Sequence, residues 1–406
     1  MSTSPPIIIL GAGISGLALG QALKNASIPF HIYERTPTFF TRSQGYRVRI
    51  DSTGIAALKQ CLTPEHYLRL EGSCAIRTGG TAPMYVLDAV TGEESDSLRF
   101  GPKWRGKGHN EAEVSLNADR GVTRGVLMLG LEDYVSFGKE FCEFETTNEG
   151  VRVRFVDGTE VEGAMVVGAD GARSRVRKQL LPKSGVFDTE GRFVFGKTVL
   201  TREIEEQFHS KAQAGLTMTS DQSSEVPLKL LIEPMRFQDN EFRAGLPDNY
   251  LYWVILTRTN KFDIDDSKLL RLSGDESAAL AKKLTSHWHP SYQILFDRVE
   301  PSQISTLRVT SAKPDIPYWN LAGKATLIGD AAHVMAPTAA VGATTAIRDA
   351  AALSQALIED GIGASSLAKY EALMRGYAKE ALERSQLGGS MVFGMPPFEK
   401  LKPVSW

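Results

Sequence analysis

The stretch Ile7-Ile8-Ile9-Leu10-Gly11-Ala12-Gly13-Ile14-Ser15-Gly16 decides how this chain is read. Four consecutive large apolar residues suit a strand covered on both faces. Three glycines follow at the spacing Gly-x-Gly-x-x-Gly. Leu17 to Ala26 alternates small and large apolar side chains and reads as a helix, and Ile28 to Tyr33 reads as a second strand with Glu34 at its end. Glycine is common here, 37 of 406 residues, so the glycine pattern alone carries little. Its context of strand, turn, helix, strand and acid makes it a dinucleotide signature. Gly11 permits the tight turn, Gly13 lets a pyrophosphate approach the backbone, and Gly16 lets helix and strand pack closely. The helix offers free N–H groups and its positive end to phosphate. A carboxylate at Glu34 accepts hydrogen bonds from both ribose hydroxyls and repels a 2′-phosphate, so the tightly held nucleotide is FAD or NAD rather than NADP.

Working outward, Ser52 to Leu62 has apolar residues near helical spacing, and Thr123 to Leu131 reads as a helix. Residues from about Ala75 to Val114 are rich in turn formers but contain the apolar run Met84 to Leu87, a source of strands for a second lobe. Val151 to Phe155 alternates as a half-exposed strand does, Asp157-Gly158 marks a hairpin, and Met165 to Val167 returns to a buried strand. Phe193 to Leu200, Leu228 to Ile232 and Tyr250 to Thr257 are apolar or aromatic strand candidates. Asp263 to Leu284 is charged and helical in character. Ala325 to Ile328 is again a buried strand, and Ile347 to Leu387 is mostly helix, broken near Gly361 to Ser366 with Ser365 or Ser366 as the cap.

These readings give an α/β chain: a discontinuous Rossmann-type FAD-binding domain, a β-sheet substrate domain and carboxy-terminal helices. The expected boundaries are residues 1–75 and 115–180 for the two parts of the nucleotide domain, and 76–114 for substrate-domain strands and linker. Residues 181–315 form the main substrate sheet, 316–388 the second flavin motif and its helices, and 389–406 a tail ending in Trp406.

Composition bounds the function. A formal net charge of -2 provides no global positive field for nucleic acid or anionic membrane. No stretch approaches a membrane span. Cys61, Cys74 and Cys142 make neither a disulfide framework nor a zinc set, which suits a reducing, cytoplasmic compartment. His287 and His289 flank Trp288 without a third ligand, so no metal site is expected. The chain is expected to be a monomer or homodimer.

Several separate motifs resemble the class A flavoprotein monooxygenases, the family with the fold of para-hydroxybenzoate hydroxylase. They are Glu34-Arg35, then Arg120-Gly-Val-Thr-Arg124 with Leu127 and Leu131, then Gly168-Ala-Asp-Gly-Ala-Arg-Ser174. Gly329-Asp330-Ala-Ala-His333-Val-Met-Ala-Pro337 and Gly342 to Ala350 complete the set, in family order. The resemblance over residues 180 to 315 is loose. It implies that Arg120 reaches the FAD phosphates and Asp330 the ribityl chain. It also implies that His333 to Pro337 turns beside the isoalloxazine, and that Gly342 and Ala343 present N–H groups to the pyrimidine end. Asp170 and Arg173 would hold the mid-chain turn. His333 reads as a structural residue of the loop more readily than as a proton shuttle. Where the family has Gly-x-Gly after the proline, this chain has Ala340-Val341-Gly342. A methyl at Ala340 would require a different backbone angle or crowd the ring.

The implied reaction is an FAD-dependent monooxygenation. NADPH or NADH binds transiently as reductant, O2 is activated as a flavin C4a-hydroperoxide, and an apolar aromatic, polyketide-like or alkaloid-like small molecule is hydroxylated or epoxidised. No side-chain catalyst is nominated. Arg47, in Gly-Tyr-Arg-Val-Arg-Ile, is a candidate flavin or NAD(P)H contact, with a strand of solvent-facing arginines as the alternative. Pocket candidates are Tyr250, Tyr252, Met218, Met235, Phe237 and Pro337; alternation puts Tyr250 and Tyr252 on one face and Leu251 and Trp253 on the other. An oxidase or dehydrogenase, or an FAD-retaining cyclase or isomerase, are the competing readings.

Overall fold

The computed structural model describes residues 5–39, 47–76, 84–95, 114–319 and 323–404. In chain order the strands are β1 (Ile7–Leu10), β2 (Phe30–Glu34), β3 (Arg47–Ile50), β4 (Tyr85–Asp88), β5 (Leu116–Asp119) and β6 (Val135–Phe137). They continue with β7 (Phe141–Thr146), β8 (Val151–Phe155), β9 (Glu160–Gly163), β10 (Met165–Gly168), β11 (Phe187–Val199) and β12 (Thr217–Ser220). The last are β13 (Lys229–Met235), β14 (Tyr250–Arg258), β15 (Ile304–Ser311), β16 (Ala325–Leu327) and β17 (Lys402–Pro403).

The apolar run of β1 lies in the middle of a parallel sheet ordered β16-β10-β1-β2-β6. All four β1 side chains are buried, because helices cover the sheet and a parallel strand in that position has no solvent face. The helix Ile14–Asn25 packs against the long helix Gly342–Asp360, which also contacts the helices Ser52–Cys61 and Ala364–Phe393. Segments from both ends of the chain thus build one layer. The hairpin at Asp157-Gly158 joins β8 to β9, with Gly158 at φ 82°.

A second sheet runs β15-β11-β14-β13-β12-β4, antiparallel except for the β4–β12 pair. Alternation along β14 divides its side chains between two cores. Leu251, Trp253 and Ile255 pack with Trp288, Tyr292 and Phe296. Tyr250, Tyr252 and Val254 pack with Met218, Met235, Phe237 and Ala336. A two-stranded ribbon, β3–β5, connects to this second face.

Several elements differ from the sequence reading for identifiable reasons. The first helix starts at Ile14 rather than Leu17, so Gly16 lies inside its first turn. The arginine-led helix is Arg120–Met128, not Thr123–Leu131. The Asp119 side chain accepts from the N–H groups of Gly121 and Val122 and sets its start, while Gly130 at φ 71° lies just past its end. The charged segment after Asp263 is two helices, Asp266–Leu269 and Gly274–Thr285, divided by a Ser273–Glu276 capping box. The helix Pro290–Asp297 and strand β15 were not read from the sequence. The last helix is capped at Gly363, not Ser365 or Ser366; Ser366 instead donates back to the Gly363 carbonyl. The strands expected between Ala75 and Val114 fall largely outside the described residues, as do Gly45, Tyr46 and the terminal Trp406; β4 is the described remainder.

Candidate active site

The glycine turn is held from two sides. A Cβ on Gly11, at φ +118°, would lie 2.3 Å from the Ala169 carbonyl oxygen, so that position admits only glycine. A Cβ on Gly13 would meet nothing within 4 Å, which leaves room beside the backbone for a bulky anion. The Glu34 carboxylate accepts from the Ala12 N–H at 2.8 Å through Oε2 and from the Thr36 N–H at 2.9 Å through Oε1. Arg124 donates to the Ala12 carbonyl at 3.0 and 3.2 Å and stacks over Phe39. No side chain caps the helix Ile14–Asn25, so its first N–H groups remain free for phosphate.

The segment after β16 sits against the segment after β10. Arg177, buried, donates to the carbonyls of Ala172 at 2.6 Å, Ala331 at 2.8 Å and Asp330 at 3.3 Å. Asp170 Oδ2 accepts from the N–H groups of Arg175 and Val176. Asp330 itself is solvent-accessible, yet burial is the leading cause that raises its carboxyl pKa, opposed by His333, Arg120 and Arg177. Its carboxylate thus reaches solvent from among the charges of His333, Arg120 and Arg177. Arg120 is in a similar setting: burial lowers its pKa while Asp330 and Asp119 pull it up.

Behind Asp330 lies a buried polar cluster. Asp349 Oδ2 accepts from the Gly329 N–H and pairs with His333 Nε2, both at 2.6 Å, and Oδ1 accepts from the Tyr377 hydroxyl at 2.7 Å. Burial opposes a charge on His333, but the Asp349 carboxylate overcomes it and raises the imidazole pKa. Its Nδ1 has no partner among the described residues.

These features fit FAD: an open glycine turn, an acid at the strand end, an arginine facing an aspartate, and the uncapped start of a long helix at Gly342. The comparisons agree. The FAD binding domain family matches residues 270–385. A dual O-methyltransferase/FAD-dependent monooxygenase of Phaeosphaeria nodorum is 36% identical over 98% of this chain and 47% of its own length. The 6-hydroxynicotinate 3-monooxygenase of Pseudomonas fluorescens is 29% identical over 89% of this chain and 84% of its own. A Photorhabdus luminescens protein assigned as an FAD-containing monooxygenase superposes with a TM-score of 0.78 at 27% identity, covering 96% of this chain and 99% of that one. The chain carries a segment of the FAD binding domain family and is similar over most of its length to FAD-dependent monooxygenases. It spans about half the length of the dual-function relatives it matches.

Within this family fold, the Ala340 departure has a definite form. Ala340 takes the left-handed conformation, φ 52° and ψ 31°, despite its Cβ. The turn before Gly342 therefore carries a local backbone cost. Gly342 and Ala343 open the helix Gly342–Asp360 with no side-chain cap. Pro337 is exposed on the loop.

Other expected site residues are placed differently. Arg35 is exposed beside Glu34. The Arg47 Nε lies 2.6 Å from Glu233 Oε2 and 2.8 Å from Asn117 Oδ1, so this arginine ties the ribbon to the second sheet and is not solvent-facing. Met235 and Tyr250 are 0% exposed and form core beneath the sheet face; Met218, Tyr252 and Phe237 are also buried. Arg173 is exposed, and Arg177 is the arginine that bridges the two motifs. Sequence reading took Arg177 as surface or motif support within the run Arg173, Arg175 and Arg177, and missed its bridge between the two motifs and the Asp349–Tyr377 pair. Among the described residues no cluster could hold a metal, and no helix is long and apolar enough to cross a membrane.

Proposed function

We propose that this chain is an FAD-dependent monooxygenase that uses NADPH or NADH and O2 to oxygenate an apolar small molecule with an aromatic, polyketide-like or alkaloid-like framework. Asp330 carries the reading: an accessible carboxylate enclosed by protein, facing Arg120, at the end of a strand in the nucleotide sheet. The relatives named as monooxygenases support it over the oxidase and cyclase alternatives.

Bound FAD supplies hydride acceptance and oxygen activation; the protein supplies binding, orientation and electrostatics. Gly13 and the free N–H groups after it would take the pyrophosphate, Glu34 the adenosine ribose, Arg120 the phosphates and Asp330 the ribityl hydroxyls. The N–H groups at Gly342 and Ala343, at the positive end of a 19-residue helix, would face the flavin ring and favour negative charge on it. The β14 face bearing Tyr252, with Met218 and Phe237, would close the substrate side and exclude water. Residues 1–75, 115–180 and 316–388 would serve FAD, and 76–114 and 181–315 the substrate. The strand order supports that division, since β16 joins β10 and β1 while β4 joins β12.

The test is anaerobic stopped-flow of the FAD-loaded protein with NADPH and with NADH, followed by oxygenated buffer, in the presence of an aromatic ligand panel. Flavin bleaching by either coenzyme and oxygen incorporation into a ligand, followed with labelled O2, are expected. Reduction coupled only to hydrogen peroxide release, with every ligand that binds, would replace the monooxygenase with an oxidase.

A further inference from the structure

A histidine and an aspartate are sealed together beneath the Gly329–Asp330 turn. The His333 and Asp349 side chains are 1% and 0% exposed, with Nε2 2.6 Å from Oδ2. The same Asp349 oxygen accepts from the Gly329 N–H, also at 2.6 Å. Gly329 stands at φ 61°, and a Cβ there would lie 2.7 Å from Ser15 Oγ. The turn therefore presses on the helix that opens after the glycine loop. Tyr377, from the last helix, donates to Asp349 Oδ1 at 2.7 Å, and the Arg348 guanidinium carbon lies 4.1 Å from the centre of its ring.

Charge gives the pair a consequence beyond packing. A buried carboxylate is costly unless a counter-charge faces it. Of the three groups bonded to Asp349, the Gly329 N–H is neutral, and the Tyr377 phenol is kept protonated because burial and Asp349 raise its pKa. That leaves the imidazolium of His333. Burial opposes that charge, yet Asp349 and then Asp330 pull the His333 pKa up. The ring has no second partner to share its proton with, since Nδ1 meets none among the described residues. Asp330 completes the set around the turn by facing His333, Arg120 and Arg177. With His333 protonated the pair is neutral overall. Once the proton leaves, Asp349 stands uncompensated behind a turn that fits a cofactor bearing two phosphates.

We propose that His333 is a positioning residue: its proton neutralises Asp349, and so sets how tightly the Gly329–Asp330 turn holds FAD and how readily the bound cofactor takes up electrons. The ring acts through the turn, not as an acid or base on the substrate. Reduction makes FAD the more electron-rich ligand, so an uncompensated carboxylate penalises the reduced form more than the oxidised one. Linkage makes the effect reciprocal: FAD that binds the protonated pair about tenfold more tightly raises the His333 pKa by about one unit. The inference rests on FAD binding and is independent of whether oxygen is transferred.

The experiment measures FAD affinity by titrating the FAD-free protein, and the midpoint potential of bound FAD by dye equilibration. The original is compared with His333→Gln, Asp349→Asn and the double variant. His333→Gln leaves Asp349 charged and unpaired. FAD binding is expected to weaken about tenfold, and the reduced form to lose about tenfold more than the oxidised one, a midpoint lower by about 30 mV for a two-electron couple. Adding Asp349→Asn removes the stranded charge and should bring both values back towards the original. A merely structural role would make the double variant worse than either single one. In the original, FAD affinity should fall as pH rises above the ordinary histidine range, and in Asp349→Asn that fall should be absent. A double variant no better than His333→Gln overturns the proposal, as does an original whose affinity is flat across that range. If His333→Gln is not recovered folded, the pH dependence of the original decides. Labelled-oxygen incorporation is followed on the same preparations: charge rescue without oxygenation keeps His333 and ends the monooxygenase reading, and oxygenation without charge rescue does the converse.

Discussion

Gly11 and Gly13 stand two residues apart and answer to different constraints. Gly11 has no room and a positive φ, whereas Gly13 has open space. Gly11→Ala is expected to damage folding itself. Gly13→Ala should leave the unfolding midpoint of the FAD-free protein within about 1 kcal/mol of the original, the scale of a glycine-to-alanine entropy change, and weaken FAD binding at least tenfold by flavin titration. Equal loss of stability in both variants would remove the phosphate role from Gly13. At Ala340 the left-handed backbone costs about 1–2 kcal/mol, while glycine loses about 0.4–1 kcal/mol through unfolded-chain entropy. Ala340→Gly should therefore be neutral to stabilising by about 1 kcal/mol in urea melts. His333 carries a pH linkage of definite sign. Its folded pKa is raised above the ordinary 6.5, so its contribution is full below that value and is lost as pH climbs through the raised one. The stability gap between the original and His333→Gln should narrow as pH rises above the ordinary histidine range. A gap that widens would mean that the imidazole is buried neutral.

At the scale of elements, the helix Arg120–Met128 matters because its cap is also a bridge between layers. Asp119 binds the first N–H groups of the helix with one oxygen and Tyr250 of the substrate sheet with the other. Asp119→Ala removes a cap worth about 1 kcal/mol and strands a buried hydroxyl at about 1–3 kcal/mol. A loss of about 2–4 kcal/mol in denaturant unfolding is expected, together with weaker FAD binding as Arg120 loses its mount. An effect confined to about 1 kcal/mol would show the cap alone to matter. The capping box at Ser273 gives the contrast, since it lies on the exposed start of the helix Gly274–Thr285. Ser273→Ala should cost about 1 kcal/mol and leave FAD affinity unchanged. The sequence concealed the true start of the Arg120 helix because three adjacent residues, Asp119, Arg120 and Gly121, look like a turn until the aspartate is seen to cap.

For the whole molecule, FAD is expected to tie segments from both ends of the chain into one layer. Removing it should lower the unfolding midpoint, and restoring it at one hundred times its Kd should return about 2.7 kcal/mol; a midpoint independent of FAD would deny that the cofactor binds only the native chain. The nucleotide turn, the hairpin at Asp157-Gly158 and the β1, β8, β10 and β14 strands were legible from sequence alone. Each is governed by neighbours within a few residues: a glycine's φ, a run of apolar side chains, an alternation. The family motifs around Arg120, Gly168 and Asp330 were legible for the same reason. Alternation also divided β14 into two faces, but it could not say which face meets the flavin loop. That was decided when Tyr252 and Ala336 entered one core and Trp253 another. Nor could it give the pairing of Arg47 with Glu233, the burial of Arg177 or the His333–Asp349 pairing. Those depend on partners from other layers, joined by packing across tens to hundreds of residues, and a side chain's charge in a sequence does not reveal what the fold will set against it.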